Sequence, residues 1–175
     1  NIMYSKDLSI IFPIYNEESS IKETLLEWKK EINFLKIKYE IILAEDGSTD
    51  NTKKILNDFI INDGEKKILS NIVENKRGYA QAILSSINMA NGEFILSVDA
   101  DGQCDPKDFK KFWGKKNNIH NDILIGNRKI RKDKFSRLLI SKIFLVFHRI
   151  LFFSKIKDPS CPYIFCRKKT FLELK

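Results

Sequence analysis

Short apolar runs alternate along this chain with segments of helical periodicity, and that alternation limits the possible folds more than any other feature. Leu8 to Ile14 is a near-continuous apolar run, interrupted by Ser9 and closed by Pro13. Ile21, Leu25, Trp28, Ile32 and Leu35 then recur at the spacing of one face of a long helix. Tyr39 to Ala44 forms a second run ending in Glu45-Asp46-Gly47-Ser48, and a helix carrying Ile55, Leu56, Phe59 and Ile60 follows it. Lys67 to Val73 is a third predicted strand and Tyr79 to Ala90 a third helix. Phe94 to Val98 makes a fourth strand, ending in Asp99-Ala100-Asp101-Gly102. Asp105 as N-cap and Pro106 at the first helical position open another helix, and Ile123 to Ile125 is a fifth strand. Strands alternating with helices predict a three-layer α/β/α domain with a mainly parallel sheet covered on both faces. No repeat or Gly/Ser linker divides the chain, so residues 1–175 read as a single domain.

In such sheets ligands bind beyond the carboxyl ends of the strands, and this chain places its unusual polar residues there. Tyr15-Asn16-Glu17 follows the first strand, Asp46 the second, Asn75-Lys76-Arg77-Gly78 the third, and Asp99 and Asp101 the fourth. Two carboxylates two residues apart at a strand end can turn to the same side. With Gln103 as a neutral third donor they suit Mg2+ or Mn2+ bridging a diphosphate. Asp46 could accept hydrogen bonds from a nucleobase or ribose, and the Asn75–Gly78 loop could meet phosphate at a helix N-terminus. Each motif alone also has a plain reading: an acidic turn, a helix cap, a basic loop. Their convergence on one crevice argues for a site.

Composition narrows the partners. Thirty-one Lys and Arg against 23 Asp and Glu leave a net charge of +8, which points to an anionic partner. No nucleic-acid motif accompanies it, and the aromatic residues fall mostly at core spacings, so a nucleic-acid partner is not expected. Three cysteines without zinc spacing read as reduced thiols.

The run Ser9 to Glu18 resembles the opening strand of family 2 glycosyltransferases, and Ala44-Glu-Asp-Gly-Ser-Thr-Asp50 resembles that family's second signature. Asn91 to Gln103, with Asp105-Pro106, is similar to its DxD segment. The Asp-Ala-Asp-Gly-Gln form is closest to dolichol-phosphate mannose synthase and related polyprenol-phosphate sugar transferases. Gly126-Asn127-Arg128-Lys129 resembles their basic strand-end motif, and Asp158 to Arg167 a divergent form of a later segment.

The resemblance implies the GT-A fold and transfer of a sugar from a nucleoside-diphosphate sugar, GDP-mannose or a UDP-sugar, to a polyprenyl or dolichyl phosphate, with inversion. It implies that Pro13, Tyr15, Glu17, Asp46, Lys76, Gly78, Asp99 and Ala100 contact the nucleotide. Asp99, Asp101 and Gln103 would hold Mg2+ or Mn2+. Arg128 and Arg131 would meet the acceptor phosphate, and Asp99, Asp101 and Arg128 would act at the reacting centre. A phosphate acceptor is already ionised at neutral pH and needs no general base, and no clear base follows the DxD segment. A hydroxyl acceptor, or a donor-binding scaffold without turnover, are the alternatives.

Leu138 to Phe153 carries a wide apolar face opposite Ser141, Lys142, His148 and Arg149. That pattern fits a helix lying in a membrane interface, or a core helix. The interface reading implies work at the cytoplasmic face of a membrane. The chain departs from the family at Pro162-Tyr163-Ile164, where Gly-Phe-Arg is usual, and stops soon after Phe171, which reads as a truncated or minimal form.

Overall fold

The computed structural model describes residues 4–64, 67–120, 122–127, 145, 158–159 and 161–173. Among these, six strands form one sheet: β1 (Lys6–Ile14), β2 (Tyr39–Glu45), β3 (Ile68–Ser70), β4 (Gly92–Ser97), β5 (Ile123–Ile125) and β6 (Ile164–Arg167). The helices are α1 (Ile21–Phe34), α2 (Thr52–Ile61), α3 (Tyr79–Met89), α4 (Phe109–Trp113) and α5 (Lys168–Glu173).

The strand order is β3-β2-β1-β4-β6-β5. Neighbours β3, β2, β1 and β4 run parallel, whereas β6 is antiparallel to both β4 and β5. The chain builds outward from β1 to β3, then returns past β1 to lay down β4. The order of strand addition therefore reverses between the parallel neighbours β1 and β4, and a ligand crevice opens at such a switch point.

The apolar runs are continuous because both faces of β1 and β2 are covered. Side chains alternate across the sheet. Leu8, Ile10, Phe12 and Ile14 pack with Ile21, Leu25, Trp28 and Ile32 of α1, while Ile11, Ile42 and Ile95 meet Ala82, Ile83 and Ile87 of α3. Trp28 is fully buried, with ring centroids 6.0 Å from Phe12, 6.2 Å from Phe109 and 6.1 Å from Tyr163. Burial of each such side chain contributes about 1.5–3 kcal/mol.

Ser9, the polar break in the first run, has a structural role. Its hydroxyl donates to the buried Glu40 carboxylate at 2.6 Å and accepts the Gly92 amide at 2.9 Å. Glu40 also accepts the Asn91 amide at 2.5 Å. A Cβ on Gly92 would collide with the Ser9 backbone, so this close approach of β4 to β1 requires glycine.

Two expectations change. The third strand is shorter than Lys67 to Val73, because only Ile68–Ser70 pairs as a strand, with Val73 bridging Asp46 alone. β6 was not foreseen. Its four residues follow Pro162 and are too few to show a period, yet Phe165 and Cys166 are fully buried between β4 and β5. The Leu138–Phe153 segment, His148 included, falls outside the described residues apart from Leu145.

Candidate active site

The loop after β1 is built on the loop after β2. Asn16 adopts a left-handed φ of +56°, which asparagine tolerates better than most residues. Its amide donates to Ser48 Oγ at 2.9 Å, and its Oδ1 accepts the Thr49 amide at 2.8 Å. The Glu17 amide donates to Thr52 Oγ1 at 2.9 Å. Glu18 Oε2 accepts the Asn51 amide at 2.9 Å and its side-chain nitrogen at 2.8 Å. Beneath them the buried Glu45 carboxylate accepts the Gly47 amide at 3.2 Å and the Ser48 amide. Residues 48–52, the end of the second signature and the start of α2, thus hold Asn16 to Glu18 in place.

Asp46 continues this construction. Its two carboxylate oxygens accept the amides of Arg77 and Gly78, each at 2.8 Å. Gly47, at φ +77°, lies against the same loop, and a Cβ there would sit 2.6 Å from the Lys76 nitrogen. Lys76 Nζ then lies 3.5 Å from the Tyr15 ring centroid, within cation–π range. Tyr15, Asp46, Lys76 and Gly78 therefore form one wall.

The opposite wall is the end of β4. Asp99 and Asp101 are both partly exposed there, and the Asp101 Oδ1 accepts the Gln103 amide at 3.0 Å. Ala100 is buried, and its carbonyl lies 3.3 Å from Ser20 Oγ, which also donates to Glu17 Oε2 at 2.9 Å. Burial pushes the Glu17 carboxyl above its ordinary range, the Ser20 hydrogen bond opposes this, and the charges of Asp101 and Asp50 add to it. Asp50 goes the other way: burial is outweighed by hydrogen bonds from Thr52 and the Glu18 amide.

A divalent cation fits this donor set. Asp99 and Asp101 would offer hard oxygen donors at one strand end, beside Glu17, whose ionisation burial opposes most. Among the described residues no group of three or more His, Cys, Asp or Glu side chains is arranged to hold a metal ion. Two carboxylates with room for phosphate oxygens are nonetheless a usual set for Mg2+.

Of the other expected residues, Pro13 lies within β1 opposite Ala44 and is partly buried. Gln103 is exposed and borders a cleft of about 360 Å³ lined also by Asp105, Phe112, Asn127 and Tyr163. Arg128 and Arg131 fall outside the described residues, just beyond Asn127. Pro162 leads straight into β6, and Tyr163 is fixed by the Gly126 amide on its carbonyl at 2.8 Å and by Phe112 at 4.6 Å between ring centroids. Three residues of the site were given no role by sequence reasoning: Glu45, Asn16 and Tyr79. Asn16 and Glu45 lie inside quoted motifs but act through backbone amides, while Tyr79 reads as an ordinary first helical residue.

The decisive comparison is with families of known sequence. The profile of Glycosyl transferase family 2 matches residues 9–172. The chain belongs to that family.

Among curated relatives of this family 2 chain, an undecaprenyl-phosphate 4-deoxy-4-formamido-L-arabinose transferase from Proteus mirabilis is 30% identical over 136 residues, covering 78% of this chain and 41% of its own. A dolichyl-phosphate beta-glucosyltransferase from Dictyostelium discoideum is 32% identical over 182 residues, covering 93% of this chain and 54% of its own. The chain thus spans about half the length of these relatives. A glucosyl-3-phosphoglycerate synthase from Mycobacterium tuberculosis superposes with a TM-score of 0.68 over 94% of this chain and 58% of its own, at 18% identity, a likeness of fold. A mannosyltransferase from Pyrobaculum calidifontis, solved with GDP-Man and Mn2+, superposes with a TM-score of 0.50 at 26% identity, covering 58% of this chain and 29% of its own. The fold is the GT-A glycosyltransferase fold.

Proposed function

We propose that this family 2 glycosyltransferase moves a sugar from a nucleoside-diphosphate sugar to a polyprenyl or dolichyl phosphate, with inversion at the anomeric carbon. One observation carries the reading: the β1/β4 switch point has a wall of Tyr15, Lys76, Asp46 and Gly78 facing the carboxylates Asp99 and Asp101. The first wall offers an aromatic face, a cation and a carboxylate to a nucleoside. The second suits a diphosphate and its cation. The names of the relatives, which include lipid-phosphate transferases, support the acceptor class.

In the proposed reaction an oxygen of the acceptor phosphate attacks the anomeric carbon. The bond to the diphosphate oxygen breaks, and the nucleoside diphosphate leaves with the electron pair. No proton need be removed, because a phosphate monoester is ionised at neutral pH. Asp99, Asp101 and Gln103 would hold Mg2+ or Mn2+, which when bound neutralises charge on the departing diphosphate. Arg128 and Arg131 would orient the acceptor phosphate, for which a guanidinium fork is suited. The net charge of +8 favours approach to an anionic membrane surface, and the cytoplasmic face is the proposed site of action. No helix among the described residues is long and apolar enough to cross a membrane.

Calorimetry with GDP and with UDP, each with and without Mn2+, tests the donor half on the native chain and on Asp101→Ala. The reading requires metal-dependent binding of a nucleotide that the substitution weakens at least tenfold. Transfer of labelled sugar to polyprenyl phosphate, compared with a polyprenol, tests the acceptor half. Sugar on the alcohol would instead favour a hydroxyl acceptor, and donor binding without any transfer would favour the scaffold.

A further inference from the structure

Tyr79, the first residue of α3, sits where the two walls meet. Its hydroxyl lies 3.3 Å from Asp99 Oδ1. A carboxylate only accepts, so the phenol donates. The ring's placement is set from the other wall. Gly78, immediately before it, takes φ +98° and ψ 152°, and the Asp46 carboxylate holds the Arg77 and Gly78 amides. A chain of contacts thus runs from the end of β2, through the loop and the start of α3, to the end of β4.

We infer that Tyr79 is a positioning residue for Asp99. It donates to the Asp99 carboxylate and fixes its orientation at the strand end where the divalent cation would sit. The inference rests on the metal reading above and adds to it a residue that no motif contains. At 3.3 Å the bond is long for an oxygen pair, as befits a support that tightens once the carboxylate is drawn onto a cation. Hydrogen bonds to the ligands of a metal fix their orientation, and removing such a support costs about 10–100-fold in metal affinity or activity. The arrangement also links donor recognition to cation binding, because whatever moves the Asp46 loop moves Tyr79.

The test is Tyr79→Phe, which keeps the ring and removes only the hydroxyl. Mn2+ uptake is followed by electron paramagnetic resonance, with UDP and then with GDP present. The expected result is Mn2+ affinity weakened by about 10–100-fold, with the melting temperature unchanged. Mn2+ affinity within twofold of native overturns the inference, whatever happens to activity. Weakened affinity accompanied by a lower melting temperature also overturns it, by giving the hydroxyl a purely structural role. If the native chain takes up no Mn2+ with either nucleotide, the metal reading itself fails and the inference with it. That outcome is recognised from the native titration alone.

Discussion

The Asp46 carboxylate accepts the Gly78 amide at 2.8 Å, tying the end of β2 to the start of α3 across more than thirty residues of sequence. The other oxygen holds the Arg77 amide at the same distance, so the carboxylate sets the whole loop. Asp46→Ala removes both bonds. Hydrogen bonds to a charged group contribute about 1.5–3 kcal/mol each, and the variant is expected to melt earlier and to bind GDP or UDP at least tenfold more weakly. Calorimetry and thermal melting together check this. Unchanged nucleotide affinity in a folded variant would show that the loop is not part of the donor wall.

Gly78→Ala separates conformational cost from steric cost. A Cβ at Gly78 would meet nothing within 4 Å, but φ is +98°. The expected loss is the strain alone, about 1–3 kcal/mol, read as a lower denaturant midpoint with an unchanged m-value. Gly47→Ala is expected to lose more, because its Cβ would press on the Lys76 backbone as well. Equal losses at the two positions would contradict this ranking.

Glu40→Gln tests the polar core of the sheet. The carboxylate accepts from Ser9 Oγ, the Asn91 amide and, at 3.1 Å, the Asn91 side chain. Glutamine replaces one acceptor oxygen with a donor that faces other donors. The expected destabilisation is about 1–3 kcal/mol, measured by urea unfolding, with the site chemistry untouched because these residues lie at the amino ends of the strands. A loss below 0.5 kcal/mol, on the order of an ordinary surface change, would refute it.

Acid sensitivity is expected at Asp63. Burial raises its carboxyl, but the 2.6 Å hydrogen bond and charge of Lys29 and the Lys67 amide outweigh burial and hold it below the ordinary value of 3.8. A carboxyl depressed in the folded state adds stability above its unfolded value, and that stability is lost as pH falls through the folded one. The native melting temperature should therefore decline below about pH 4. Asp63→Asn should start lower at neutral pH and decline less. Parallel curves for the two proteins would remove Asp63 from the account.

The strands β1, β2 and β4 and helices α1 to α3 were legible because each buries enough apolar surface to impose a period on its residues. Most expected donor-side residues also proved to be neighbours, since strand ends in such a sheet converge by topology. β6 was not legible: four residues do not establish a period, and its partners β4 and β5 lie about forty to seventy residues earlier in the chain. The antiparallel edge followed from the same blindness. The support given by Glu45 and Thr52 was not legible because local turn chemistry and long-range support use the same side-chain oxygens.

Sequence alone determined the layered α/β class, the family and the place of Asp99 and Asp101 at the end of the fourth strand, because these depend on local periodicity and on motifs contiguous in the chain. Only the tertiary structure decided that Asp46 holds the Arg77–Gly78 loop, that Lys76 caps the Tyr15 ring, and that the Tyr79 hydroxyl reaches Asp99. Each of these is a contact between residues at least 20 positions apart. Hydrogen bonds and cation–π contacts act over a few ångströms of space, so they exist only once packing of the core has brought the strand ends together.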